Sequence, residues 1–161
     1  KIYNDNNTIS LNKTISSLKT AISNCVVEMK YLASDKNQQI IFKDKTTDSN
    51  TSFDFIEIKR VVHNLLANSI EHAPKDSEIK ILLSENKDYF ITKISNKLKC
   101  TPPANIDEIF DKFVSFADKS KCINSGLGLF ISKKIIEAHD GSIKVETNEK
   151  NYINFTFCLP K

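Results

Sequence analysis

Apolar residues along this chain recur with helical spacing in three long stretches. In residues 11–33 they return every three or four positions, which places them on one face of a helix. The same spacing recurs in residues 55–73, where Pro74 ends the pattern, and in Leu127–Ala138, which Gly141 follows. The pattern therefore predicts three long helices, each with one apolar face.

Short β-rich segments lie between and after these helices. Residues 39–42 read as one strand, while 78–83 and 89–95 are close enough to form a hairpin. Residues 142–146 and 152–159 form a closing pair of strands. This order predicts an α/β fold, more narrowly a two-layer α+β sandwich. A mixed, mostly antiparallel sheet would be covered on one face by about three helices.

The remaining stretches are less regular. Residues 44–52 and 112–124 are polar and read as loops, and a short helix is predicted around Ile106–Phe110. The two phenylalanines of this region, Phe110 and Phe113, are three apart, which is typical of core packing. The length of 161 residues fits one domain spanning 1–161.

Composition and charge exclude several classes of function. The net charge is only +3, and Arg60 is the only arginine, which argues against nucleic acid as a partner. No stretch approaches the ~18 apolar residues of a membrane span, so we expect no membrane insertion of this segment. Because the chain begins at Lys1 and its only methionine is Met29, we expect it to be a piece of a longer protein.

Glycine is scarce, and two of the few glycines are close together. There are 3 glycines, where an average usage of about 7% would give about 11. A dinucleotide fingerprint and a Walker A loop are therefore excluded. Gly126 and Gly128 open the third predicted helix, where bare backbone N–H groups can approach an anion. The alternative is a loop end that needs a positive φ.

The second predicted helix carries two asparagines on its polar face. Asn64 and Asn68 are four residues apart, so their amides lie on the same side. Magnesium prefers oxygen ligands and usually keeps waters and substrate phosphates, so one amide oxygen can complete a Mg–triphosphate site. The alternative is the solvated face of an amphipathic helix.

Four segments together resemble the ATP-binding catalytic domain of bacterial sensor histidine kinases. They are NLLANSIEHA at 64–73, IFDKF at 109–113, SGLGL at 125–129 and NFTFCLP at 154–160. The first three are similar to the N box, F box and second glycine box of that family. The fold implied is the Bergerat fold of the GHKL superfamily, which gyrase-type ATPases and MutL share.

The resemblance implies a site for ATP and Mg²⁺. Asn68 matches the magnesium ligand, Asn64 the asparagine near the phosphates, and His72 the ring beside the nucleotide. Asn64 stands where gyrase-type ATPases carry a glutamate that activates water; an amide cannot take that proton, which favours phosphotransfer over hydrolysis. Asn64 and Asn68 are thus the predicted catalytic residues.

The other predicted nucleotide contacts lie in the second glycine box and in the ATP lid, at about 111–125. They are the backbone of Gly126, Leu127 and Gly128, and the side chains of Lys119 and Lys121. The lid lysines have an alternative interpretation as solvated side chains.

The first glycine box of the family has no glycine here. The matching stretch, 96–100, reads NKLKC. Asn96 replaces the aspartate that accepts the adenine amino group, which weakens binding by about tenfold. Leu98 and Cys100 add side chains where the family keeps bare backbone. This departure supports an alternative function, a degenerate domain that no longer binds ATP and serves as a partner-binding module.

The function predicted is that of a protein-histidine kinase catalytic domain, which delivers the γ-phosphoryl of ATP to a histidine elsewhere. His63, His72 and His139 do not match the family's acceptor. The chain alone is therefore not a complete kinase. The partners implied are an upstream dimerisation and phosphoacceptor domain and a response regulator. The full-length protein would be a homodimer, and this domain would be cytoplasmic.

Overall fold

A computed structural model describes residues 9–102, 105–111 and 127–161. Its helices are α1 (Leu18–Ser34), α2 (Phe55–His72), a 3₁₀ helix (Ile106–Phe110) and α3 (Leu127–Ala138). Its strands are β1 (Thr14–Ser17), β2 (Gln39–Asp44), β3 (Asn50–Phe53), β4 (Glu78–Glu85), β5 (Tyr89–Lys97), β6 (Ser142–Thr147) and β7 (Tyr152–Pro160). None of the helices in these ranges is long and apolar enough to cross a membrane.

The main sheet has five strands in the order β2-β4-β5-β7-β6. β2 runs parallel to β4, and the other neighbours are antiparallel. The three α-helices pack against one face of this sheet and bury a single apolar core between the layers. The predicted two-layer sandwich with a mixed, mostly antiparallel sheet is confirmed.

The first helix starts later than its apolar spacing predicts. Thr14–Ser17 forms a strand that pairs antiparallel with β3, and Ser17 then caps α1 by accepting the backbone N–H of Thr20. Ile15, which extends the helical spacing, is 82% exposed on this strand. The expectations of a helix from residue 11 and of a loop throughout 44–52 are therefore wrong at β1 and β3.

Both ends of α2 are held by side chains from other parts of the fold. At its start, the Asp54 carboxylate accepts the backbone N–H groups of Ile56 and Glu57, each at 3.1 Å. At its end, the buried amide of Gln38 donates to the carbonyls of Ile70, Ala73 and Pro74, at 3.0–3.2 Å. These contacts fix the direction of the helix that carries the predicted asparagines.

His139 connects the end of α3 to the start of α2. Its ring is buried, its Nδ1–H donates to the carbonyl of Ile135 at 2.7 Å, and its Nε2 accepts the backbone N–H of Asp54 at 3.0 Å. Both contacts require the neutral ring in one tautomer. Burial is the main cause that lowers the pKa of His139.

We expect the stability of the domain to fall as pH decreases below about 6.5, the ordinary histidine pKa. The folded state holds fewer protons on His139 than the unfolded state, so the free energy of unfolding rises with pH through this window. Urea denaturation at pH 7.5 and 5.5 measures the loss. Because burial also lowers the pKa of His72, His139→Gln and His72→Gln separate the two contributions. A pH dependence unchanged by His139→Gln would contradict this assignment.

Candidate nucleotide-binding site

Asn64 joins the middle of α2 to the first turn of α3. Its Nδ2 donates to the carbonyl of Gly128 and to the Oγ of Ser132, each at 3.2 Å. Ser132 Oγ itself donates to the Gly128 carbonyl at 2.8 Å. A carboxylate in place of this amide would have no N–H to donate and would face two oxygens. The contact between α2 and α3 therefore requires an N–H donor such as the Asn64 amide.

Gly128 lies against this amide without crowding it. A Cβ there would stand 3.6 Å from Asn64 Cγ, an ordinary contact. The backbone φ of Gly128 is not positive, so the alternative of a strained loop end is wrong at this residue. Packing against Asn64 therefore does not require a glycine at this position.

A small cavity lies beside the next turns of α2, on the helix-covered side of β5. Its polar lining residues are Asn68, His72 and Asn96. Its apolar lining residues are Leu98, Ile153 and Phe155. The volume is about 10 Å³, which is room for about one water molecule. The four-residue spacing of Asn68 and His72 on one helix face brings both to the same cavity as Asn96.

Two buried polar atoms in this cavity have no hydrogen-bond partner among the described residues. They are Oδ1 of Asn96 and Nε2 of His72. The Nδ2 of Asn96 donates to the carbonyl of Lys97 at 2.8 Å, so only the Oδ1 end of this amide lacks a partner. Burial lowers the pKa of His72, so its ring is neutral at pH 7. Buried polar groups normally have partners, and these two can serve a ligand.

The polar groups of these residues are of the kinds that an adenine base and magnesium require. The orphaned oxygen of Asn96 is an acceptor for an amino group such as that of adenine. In the described ranges the half-buried Asn68 amide has no hydrogen bond, so its oxygen can ligate a hard cation. Leu98, which is 2% exposed, fills space where the resemblance leads us to expect bare backbone. Entry of a base therefore requires Leu98 and its neighbours to move.

The backbone that carries Leu98 is held by the turn between β6 and β7. Asn151 Nδ2 donates to the carbonyls of Leu98 and Cys100, each at 3.1 Å, and the Leu98 N–H donates to the Asn151 carbonyl at 2.8 Å. Asn151 adopts a φ of 59°, which asparagine tolerates better than most residues. Without glycines, the 96–100 stretch depends on this turn for its path.

Three of the predicted contacts, Lys119, Lys121 and Gly126, lie outside the described residues, as does most of the predicted lid at 111–125. Leu127, the first residue of α3, is 48% exposed. Phe110 is buried and meets the Phe155 ring edge-on, with 6.4 Å between centroids, so its interpretation as a core residue is confirmed. Phe113, the other phenylalanine of that interpretation, lies outside the described residues.

Two residues that support the site, Ser132 and Gln38, were not identified from the sequence. Ser132 is four residues after Gly128, a helical spacing that could have indicated a shared contact with the preceding turn. Gln38 gives no such signal, because its partners at the end of α2 are more than thirty positions away.

Comparison with known proteins places the chain in a family. The sequence model of the histidine kinase-, DNA gyrase B- and HSP90-like ATPases matches residues 53–161. The sensor protein SrrB of Staphylococcus aureus is 28% identical over 155 residues, which are 95% of this chain and 26% of SrrB. The sensor histidine kinase YvrG of Bacillus subtilis is 24% identical over 143 residues, 88% of this chain and 25% of YvrG. The chain thus spans about a quarter of these relatives.

Solved structures give the same result. The nucleotide-free catalytic domain of histidine kinase ThkA superposes with a TM-score of 0.81 at 28% identity, over 93% of this chain and 98% of that domain. ThkA in complex with the response regulator TrrA superposes with a TM-score of 0.78 at 27% identity, over 94% of this chain and 42% of that one. With the fold of a histidine-kinase catalytic domain, the chain belongs to the histidine kinase-, DNA gyrase B- and HSP90-like ATPase family.

Proposed function

We propose that this domain binds Mg-ATP and supplies the γ-phosphoryl group for transfer to a histidine on another domain. One observation carries the proposal. Asn68 and His72 of α2 and Asn96 of β5 line one cavity, and two buried polar atoms of these residues have no partner in the part of the chain that the structure describes. In a purely structural role, buried polar atoms of this kind would normally have hydrogen-bond partners within the protein.

Each residue has a role that follows from its position. Asn96 Oδ1 accepts the amino group of the base, and the neutral His72 ring lies beside it. Asn68, one turn before His72, gives its side-chain oxygen to magnesium, which neutralises phosphate charge when bound. Asn64 is a positioning residue that holds the first turn of α3, where the backbone of Gly126, Leu127 and Gly128 would meet the phosphates. Lys119 and Lys121 would approach the phosphates from the lid.

Transfer to a histidine is favoured over hydrolysis by the chemistry of Asn64. Both of its donor contacts are to oxygens of α3, and a neutral amide cannot accept a proton from water. Catalysis would then rest on positioning the nucleotide and neutralising its charge. The alternative of a domain without nucleotide binding is not favoured, since relatives that match most of the chain are sensor kinases.

The partners follow from the class of protein. We propose an upstream dimerisation and phosphoacceptor domain, a homodimeric full-length protein in the cytoplasm, and a response regulator that receives the phosphoryl group. The fold match to a kinase in complex with its response regulator supports the last of these. We propose the whole of 1–161 as one catalytic domain with its lid at about 111–125.

The thermal stability of the isolated domain tests this function. Mg-ATP at ~100 times its dissociation constant should stabilise the fold by ~2.7 kcal/mol, measured as a rise in Tm. Mg-GTP is the matched control, because the 6-oxo group of its base does not donate to Asn96 Oδ1. No rise at millimolar Mg-ATP would overturn the proposal.

Asn96→Asp should raise the affinity for Mg-ATP by about tenfold, because a charged acceptor forms a stronger hydrogen bond with the adenine amino group. It should also lower the free energy of unfolding by ~1–3 kcal/mol, since the buried donor to the Lys97 carbonyl is lost. Calorimetric titration measures the affinity, and inosine triphosphate, which lacks the amino group, is the control. An equal gain for inosine triphosphate would contradict the contact.

A further inference from the structure

The face of the sheet opposite the helices carries a groove across β2, β4 and β5. Its volume is about 510 Å³, within the ~300–1,000 Å³ typical of ligand sites. Ile41 and Leu82, both half-buried, lie along its floor. Lys43, Lys45 and Lys93 are exposed at its rim. The groove therefore combines an apolar base with a cationic border.

Three of the four lysines in the groove have no ion-pair partner among the described residues. Lys80 is paired with Glu78 at 3.0 Å, but within the described ranges Lys43, Lys45 and Lys93 form no ion pair. Four lysines against one glutamate leave a net charge of +3 in the lining. The formal net charge of the whole chain is also +3, so the charges outside the groove cancel.

Protection of the sheet edge accounts for only part of this pattern. Lysines on an edge strand discourage pairing with other sheets, and Lys43 lies on the edge strand β2. Lys93, however, is on β5, the central strand. Lys43 and Lys93 both stand in register with Leu82, about 10 Å apart across two strand spacings. In the same cross-strand row of side chains, Lys144 is neutralised by Glu146 at 2.8 Å.

We propose that this groove binds an acidic segment of a partner polypeptide. Carboxylates of the segment would face Lys43 and Lys93, and an apolar side chain between them would lie on Leu82. The lining has no arginine, so it lacks the forked donors suited to phosphate groups, whereas single ammonium groups suit separate carboxylates. The groove lies on the opposite face from Asn96 and the proposed nucleotide site, because successive residues of a strand point to opposite faces.

A blocked peptide of sequence Glu-Leu-Glu-Glu-Leu-Glu, titrated into the ¹⁵N-labelled domain, tests the proposal. We expect saturable chemical-shift changes in β2, β4 and β5, weaker binding when salt rises from about 50 to about 200 mM, and none with the glutamine analogue. Lys43→Glu combined with Lys93→Glu should lower the affinity at least tenfold. Lys30→Glu with Lys150→Glu, on α1 and a turn, changes the charge equally and should leave binding intact.

Three results would overturn the proposal. They are no shift changes at millimolar peptide, shift changes that map to the helical face, and binding unaffected by the Lys43 and Lys93 substitutions. Phosphatidylserine vesicles that bind through these lysines while the peptide does not would assign the groove to a membrane surface instead. Failure of Mg-ATP to bind would not affect this outcome, because the two sites share no residue.

Discussion

Gly141→Ala should destabilise the domain by about 3 kcal/mol or more, even though Gly141 is far from the proposed nucleotide site. A Cβ at this position would overlap the carbonyl oxygen of Cys158 and stand 3.1 Å from Ile136 Cγ2. Cys158 belongs to β7 and is paired with Ser142, the first residue of β6, which directly follows Gly141. Neither strand can move away from the added Cβ without breaking this pairing. Close backbone approach thus explains the third glycine of a glycine-poor chain.

Urea denaturation measures this loss, and Gly128→Ala is the matched control. The added Cβ of that control meets only an ordinary contact at 3.6 Å from Asn64, and alanine favours a helix over glycine by up to ~1 kcal/mol. We expect the control to keep or slightly gain stability. Equal stability of the two variants would contradict the account of Gly141.

Asn68→Ala should reduce the affinity for ATP in the presence of magnesium at least tenfold, about 1.4 kcal/mol. The variant removes one oxygen ligand from the proposed metal site. In the described ranges the side chain has no hydrogen bond, so we expect the free energy of unfolding to change by no more than ~0.5 kcal/mol.

Calorimetric titration with magnesium and with a chelator separates metal binding from base binding. In the chelator, the wild type and Asn68→Ala should bind ATP equally. Asn64→Ala is a useful contrast, because loss of the contacts to Gly128 and Ser132 should lower stability as well as affinity. Undiminished binding by Asn68→Ala in magnesium would exclude Asn68 as the ligand.

Elements with local signals could be predicted from the sequence. Helical spacing marked α2 and α3, and β-rich segments a few residues apart marked the β4–β5 and β6–β7 pairs. β1 was hidden because Ile15 continues the apolar spacing of the first helix, while its strand pairing depends on β3, more than thirty residues away. Strand pairing between residues so far apart produces no periodic pattern in the sequence.

In the candidate site, too, features with a local sequence signal could be predicted, whereas features that depend on packing could not. The four-residue spacing of Asn64 and Asn68 was enough to place them along one side of α2, and the family resemblance added His72. The sequence could not show that Leu98 closes the cavity to about 10 Å³, because closure depends on how β5, β7 and α2 pack. Nor could it show that Asn64 donates to α3, a contact between residues 64 positions apart.

The proposed nucleotide site is tested most directly by ¹H–¹⁵N spectroscopy of the side-chain amides of Asn68 and Asn96 while Mg-ADP is added to the domain. We expect saturable shifts of both amide groups, with the Asn68 shift lost when the chelator removes magnesium and the Asn96 shift kept. The opposite result, in which neither amide responds while magnesium and nucleotide are in millimolar excess, would contradict the placement of the nucleotide in this cavity.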